Sequence, residues 1–280
     1  MDQINLIAWT GRNAQECGGL DRRQAQMMHA TLGSAEDPAP EHGDPLPPLW
    51  HWAGFPPMAS MEQLGEDGHP QPGGFLPPMP SARRMWAGGS IQFHCPVHIG
   101  ETLTRQSMIR DIQQKEGGAG TMVFVTVEHL ISGDRGLAIR EQQDIVYLPM
   151  PDAYSPPKSR SLPTNPVLTS GFEASQTCLF RYSALTFNAH RIHYDLDYTR
   201  SVEHYPDLVV HGPLQATKLM QAAVAHRGRV PTDFHYRGVH PVFTGPVDIV
   251  AVEEECGLSL FTGQNGHQGM QATAIWEETV

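Results

Sequence analysis

The chain has 280 residues, enough to bury a substantial core as one large domain or two smaller ones. Nineteen Lys and Arg against thirty Asp and Glu leave a formal charge of −11, which argues against a general affinity for nucleic acid or an anionic membrane, so an anionic ligand requires a local basic site. Cys17, Cys95, Cys178 and Cys256 are scattered without a Cys-x-x-Cys pair and read as reduced thiols, not as a zinc site, a redox dithiol or a disulfide framework.

Met1-Asp2-Gln3-Ile4-Asn5-Leu6 lacks a basic n-region and a long apolar run. No later run is long enough to span a bilayer, and a soluble, unexported, cytoplasmic protein is expected. A first helix is predicted from Asp21 to Leu32, although Ala25, Met28 and Ala30 make only a broken stripe. Asp44 to Gly89 is rich in Pro and Gly, holds Trp50, Trp52 and Phe55, and gives no readable fold.

The phrase Phe93-His94-Cys95-Pro96-Val97-His98-Ile99-Gly100 returns as Val239-His240-Pro241-Val242-Phe243-Thr244-Gly245, with Pro96 and Pro241 lying 145 residues apart. β-rich segments follow each phrase. In the first half they are Thr102 to Arg110, Thr121 to Ile131 and Leu137 to Leu148, separated by the turn signals Gly117-Gly118-Ala119-Gly120 and Ser132 to Gly136. Val123, Val125 and Val127 alternate with Phe124, Thr126 and Glu128, as a strand with two unlike faces requires. In the second half the segments are Val247 to Glu253, Leu258 to Thr262 and Gln271 to Trp276, with Gly263 to Gly266 as the last turn signal.

Prolines 149, 151, 156, 157, 163 and 166 oppose helix and interior strand alike. They divide the chain into 1–150, a linker over 151–170, and 171–280. Ahead of the second meander Ala216, Leu219, Met220, Ala223 and Val224 share one helical face, with Pro213 at its start and Gly228 past its end. An α+β chain of two similar sheets is predicted.

Ionisable side chains concentrate from Tyr182 to Asp195, where Asn188-Ala189-His190-Arg191-Ile192-His193 spaces an amide and an imidazole five positions apart. A loop or short helix can bring both to one cleft. A histidine of near-neutral pKa exchanges protons at working pH, and an amide orients water without changing charge.

This segment resembles the Asp-x-Asn-Pro-x-His motif of the (R)-specific enoyl-CoA hydratase, or MaoC-like, family. His193 matches that family's catalytic histidine; Asn188 stands at the position of its aspartate, and His190-Arg191 replaces Asn-Pro. Pro45 to Trp52, Gly74 to Pro78, Arg83 to Gly89 and Thr186 to Asp195 together resemble the hydratases of itaconyl-CoA or mesaconyl-CoA (3-methylfumaryl-CoA), over nearly the whole chain. The resemblance implies a double hot-dog fold, two antiparallel sheets each wrapped around a central helix. It also implies a cofactor-free hydro-lyase interconverting itaconyl-CoA or mesaconyl-CoA with citramalyl-CoA.

Such a reaction must position a water, move a proton and stabilise an enolate-like oxygen. The expected assignments are His193 for proton transfer, Asn188 for the water and the Gly212 N–H, at a helix start, for the oxyanion. Asp195 is an alternative helper for His193. Arg191 is the first choice for a substrate carboxylate, since a planar guanidinium pairs with it bidentately. Arg83 and Arg84 are candidates for that carboxylate or for CoA phosphates, and His190 and His211 complete the expected substrate contacts.

Other readings weigh against parts of this. Asn188 suits a turn or helix cap as well as catalysis. His190-x-x-His193 and His94-x-x-x-His98 lack a third ligand of suitable spacing, and no metal is expected. The tryptophans read as packing residues and the glycine clusters as turns. A 3-hydroxyacyl-thioester dehydratase of fatty acid synthesis, a thioesterase, and a non-catalytic acyl-thioester binding module remain alternatives. The assembly is open between monomer and homodimer.

Overall fold

The computed structural model describes residues 5–79, 82–117 and 120–277. Met1 to Ile4, and Gly118 and Ala119 of the first turn signal, lie outside the described residues. Strand β1 (Asn13–Gly18) leads into helix α1 (Arg22–Leu32), which opens on a capping box: the Asp21 carboxylate accepts from Gln24 N–H at 2.7 Å and the Gln24 side chain bonds back. Its buried face is Ala25, Met28 and Leu32. Leu32 closes the i, i+3, i+7 stripe, and Ala30 is exposed.

The unreadable stretch is irregular apart from the 3-10 turns Trp50–Gly54 and Met61–Gln63, until it enters β2 (Ala82–Phe93). Next come β3 (Leu103–Gly117), β4 (Gly120–Gly133) and β5 (Gly136–Pro149), the predicted meander with longer strands. Val123, Val125 and Val127 are buried, as their alternation predicts.

The second half opens with β6 (Leu168–Ala174), α2 (Gln176–Thr186), the short α3 (Leu196–Ser201) and α4 (Gly212–Arg227). Gly228 ends α4 at φ 71, its N–H bonding the Val224 carbonyl at 2.7 Å. The strands β7 (Asp233–Gly238), β8 (Gly245–Glu254), β9 (Gly257–Gln264) and β10 (His267–Ile275) follow.

The strand order is β1-β3-β4-β5-β2-β7-β10-β9-β8-β6. Read outward from the centre, β2-β5-β4-β3-β1 on one side mirrors β7-β10-β9-β8-β6 on the other, so the repeated phrases follow equivalent strands. This is the double hot dog expected from the resemblance, with two physical refinements. The sheets are one: β2 and β7 pair antiparallel from Gly88↔Arg237 to Gln92↔Asp233. Only the second half supplies a long central helix among the described residues; Leu219, Met220 and Ala223 of α4 pack with Ile249, Leu260 and Ala272 of their own half and with Ile91 and Ile139 of the other. In the first half Leu49 and Phe55, flanking the Trp50–Gly54 turn, reach the same core.

The proline-rich stretch lies against the second half: Gln268 N–H bonds the Arg160 carbonyl at 2.8 Å, and Val167 N–H bonds Ala251 at 2.8 Å. Its last residues, 168–170, already belong to β6. All four cysteines are free. No described helix is long and apolar enough to cross a membrane.

Candidate active site

Helix α2 stops at Phe187, a C-cap in the left-handed region (φ 52) whose N–H bonds the Ser183 carbonyl. Asn188 N–H bonds the same carbonyl at 2.9 Å, and the Asn188 Oδ1 accepts from His190 N–H at 3.0 Å. The amide thus forms a local turn that swings the chain into the 3-10 turn Arg191–His193. His193 is buried, and its Nδ1 donates to the Val209 carbonyl at 2.7 Å. A carbonyl can only accept, so the proton sits on Nδ1 and Nε2 keeps its lone pair.

His193 stands in a row of imidazoles. Its ring stacks on His211 at 3.6 Å and meets His190 edge-on at 5.5 Å, and His190 contacts His69 at 4.2 Å between ring centres. Burial, reinforced by His211 and His190, holds His193 well below the ordinary histidine pKa. Burial and then His190 bring His211 to about 3. Two carboxylates flank the row: Glu203, almost fully buried, accepts from His190 Nε2 at 2.8 Å, and Asp67 accepts from His69 Nδ1 at 2.8 Å. Burial opposes the ionised form of Asp67, yet the hydrogen bond and charge of His69 hold it at about 2.

Above the row lies a cleft of about 1400 Å³ walled by both halves. Of the residues expected from sequence, His193, His190, Asn188, Gly212, Arg83 and Arg84 line it. Gly212 is the first residue of α4, where a backbone N–H has no partner within the helix. A Cβ there would lie 2.5 Å from Trp86 Cε3, so the helix start and the indole fit only with glycine. Arg83 and Arg84 enter on β2; the Arg83 guanidinium sits 5.3 Å over the Tyr205 ring and its buried Nε has no hydrogen-bond partner.

Three expected residues are placed elsewhere. Arg191 does not line the cleft: its Nε and Nη2 bond Asp195 Oδ2 at 3.0 and 2.7 Å, its Nη1 bonds the Glu66 carbonyl at 3.1 Å, and it lies 4.1 Å over Tyr198. A guanidinium so engaged has no fork left for a substrate carboxylate. Asp195 caps α3 by accepting from Tyr198 N–H at 3.0 Å. That bond and Arg191 hold its carboxyl below the usual range, and both its oxygens are engaged by them. His211 is fully buried behind His193, bonded through Nε2 to Ser183 Oγ at 2.8 Å, and backs the His193 ring without lining the cleft.

What Arg191 does hold is a loop of the first half. Its own N–H bonds the Asp67 carbonyl at 2.9 Å, Leu64 bridges Pro70, and Gly68 (φ +89) lies so close to the Ala189 carbonyl that a Cβ would come within 1.9 Å. Asp67 and His69 reach the site on this loop. Sequence reasoning missed them because Gly65-Glu66-Asp67-Gly68-His69-Pro70 shows only turn chemistry, and missed Glu203, which lies in no periodic segment. It also missed Glu141, a buried carboxylate on the first-half wall that accepts from Trp52 Nε1 at 2.9 Å and His51 Nε2 at 3.1 Å. Asp67, His69 and His190 offer ligand atoms within 4.8 Å of one another. Asp67 is committed to His69 and His190 Nε2 to Glu203, while the His69, His190 and His193 rings sit side by side without a hydrogen bond between them.

The family model of hydroxyacyl-thioester dehydratase type 2 matches residues 49–244. The chain is 45% identical over 247 residues, covering 87% of each protein, to a mesaconyl-C(4)-CoA hydratase of Chloroflexus aurantiacus. A MaoC-like dehydratase structure from Phytophthora capsici superposes with a TM-score of 0.71 at 16% identity, over 99% of this chain and all of that one. A Mycobacterium tuberculosis protein described as a double hot dog superposes at 0.56 with 12% identity, over 95% and 96% of the two chains.

Proposed function

Because the chain belongs to the hydroxyacyl-thioester dehydratase type 2 family and is a hydro-lyase of the enoyl-CoA hydratase type, we propose that it hydrates mesaconyl-CoA, or the isomeric itaconyl-CoA, to citramalyl-CoA, reversibly. The observation that carries the reading is the His193 ring, fixed through Nδ1 on Val209 with Nε2 free at a cleft shared with the Gly212 N–H.

In the proposed step, drawn for mesaconyl-C4-CoA, water oxygen bonds to Cβ of the conjugated thioester while His193 Nε2 takes the water proton; itaconyl-CoA enters it after a proton moves from Cα to its methylene carbon and brings the double bond into conjugation. The electron pair of the double bond moves onto the thioester oxygen, where the Gly212 N–H donates to it; the proton then passes to Cα. The water's one departing proton is therefore returned to carbon, and no other reagent is consumed. Asn188, with one Oδ1 lone pair taken by the His190 N–H, keeps its NH2 as a donor for water or substrate.

A C4 thioester of mesaconate carries its free carboxylate on the carbon that receives the hydroxyl. Arg83 and Arg84, which line the cleft, suit it better than Arg191, which does not. A long acyl chain is a second reading favoured by the size of the cleft, and it makes the enzyme a 3-hydroxyacyl-thioester dehydratase. Purified protein offered mesaconyl-C4-CoA, itaconyl-CoA, crotonyl-CoA and a long-chain enoyl-CoA separates the two. Preference for the dicarboxylic thioesters supports the proposal, and preference for the long chain rejects it.

A further inference from the structure

When His193 takes a proton, the imidazolium meets His211 from the head of α4, His190 from its own turn, His69 from the first-half loop, and the Val209 carbonyl. None of these is anionic, and the motif position where a carboxylate would help is Asn188. Two carboxylates end the row, Glu203 one imidazole away behind His190 and Asp67 two away, behind His69 and His190. Other charged or titratable groups around the row include Arg84 from β2 beside His69, Tyr147 of β5 beside Arg84 and Asp67, Tyr198 of α3, and Tyr182 of α2, whose ring lies 5.0 Å from His211.

The Asp67 pair is built for one orientation. Oδ1 accepts from the His69 backbone N–H at 3.0 Å and Oδ2 from its Nδ1 at 2.8 Å, so both oxygens are committed to His69. The proton again sits on Nδ1, leaving His69 Nε2 free. The loop is fastened at three points to the catalytic segment: Arg191 N–H on Asp67, Arg191 Nη1 on Glu66, and the close approach of Gly68 to Ala189.

We propose that Asp67, acting through His69, is a positioning residue whose negative charge keeps the row of histidines receptive to the reaction's proton, so that the first half supplies the carboxylate that Asn188 does not. This rests on the assignment of His193 as the proton acceptor. The geometry makes Asp67 a counter-charge, since no hydrogen bond links the His69, His190 and His193 rings to carry a proton between them.

The test is the pH profile of hydration by Asp67→Asn and Asp67→Glu, with thermal unfolding measured alongside and His193→Ala as reference. Asp67→Asn is expected to lower kcat at least about tenfold, the scale of a weakened acid–base group, with KM within about twofold. Removing the anion lowers the proton affinity of the imidazoles, so the acidic limb of kcat/KM moves to lower pH, and Asp67→Glu recovers part of the rate. His69→Gln carries the same comparison if Asp67→Asn does not fold.

An unchanged rate and limb in Asp67→Asn overturns the inference, as does a lower rate with an unmoved limb and reduced thermal stability, the mark of a mere clamp. Loss of wild-type activity to a chelator, restored by a divalent cation, overturns it in favour of a metal site. An active His193→Ala instead removes the reading beneath it, and the two failures are separable.

Discussion

Replacing Gly212 by Ala tests whether the start of α4 must be where it is. The new Cβ would lie 2.5 Å from Trp86 Cε3 and 3.1 Å from Cζ3, against an ordinary contact of 3.4–4 Å. The indole has little room to yield: it stacks on Tyr236 at 4.6 Å and meets Trp52 edge-on at 5.5 Å between ring centres. The helix start must therefore retreat by roughly 1 Å, an overpacking strain of about 1–3 kcal/mol. A backbone donor moved that far no longer reaches the developing oxyanion, and loss of one such donor costs about 10²–10³ in kcat. Steady-state hydration with thermal unfolding as control is the assay; a fall in kcat with KM nearly unchanged is expected in folded protein. A Gly212→Ala variant with wild-type kcat would refute the oxyanion assignment.

Three further outcomes follow. Arg84→Ala is expected to raise KM for a dicarboxylic thioester at least about tenfold, the scale of one lost charge-assisted pair, and to leave crotonyl-CoA nearly unaffected; Arg191→Ala, whose partners are all protein groups, should not discriminate between the two substrates. Gly68→Ala puts a Cβ 1.9 Å from the Ala189 carbonyl at φ +89, so it should lower the unfolding midpoint and the hydration rate together, as calorimetry and kinetics will show. His193 and His211 have folded pKa values depressed below 6.5, so the folded state disfavours their protonation. Their contribution is complete above pH 6.5 and is lost as pH falls below it, for His211 down to about 3, at up to about 1.4 kcal/mol per pH unit for each ring. Denaturant titrations between pH 7 and 4.5 should show that decline, and His211→Gln should flatten it.

Legibility in the sequence followed burial. The meander strands and α4 each bury one face against the core, so their side chains carry the period, and the predicted segments fall within β3 to β5 and β8 to β10 apart from residues at their ends. The outermost strands β1 and β6 bury little, with only Ala174 fully enclosed, and without a buried face there is no alternation to read. β2 was hidden for another reason. At its centre Gly88 and Gly89 sit where Cβ atoms would strike Tyr236 and Gln142 backbone oxygens at 2.5 and 2.2 Å, so the strand that joins the halves carries glycines that resemble a turn.

The candidate site divided along the same line. His193, Asn188, His190 and Gly212 lie in segments whose local chemistry is written in consecutive residues. Arg191 was expected at the substrate although its fork is filled by Asp195, four residues on, and the remaining nitrogen by the distant Glu66 carbonyl; an arginine between two candidate site histidines looks like a ligand until those partners are seen. Asp67 and His69 came from a loop whose only sequence signal is its turn.

The central claim is that His193 moves the proton when water adds to an unsaturated acyl thioester. Mesaconyl-C4-CoA incubated in heavy-oxygen water with wild-type protein or His193→Ala, and followed by mass spectrometry, tests it most directly. Wild-type protein should place one labelled hydroxyl on the acyl group with the thioester intact, and folded His193→Ala should be slower by at least about 10²-fold. Wild-type rates in the variant, or free thiol released without labelled hydroxyacyl product, would contradict the account.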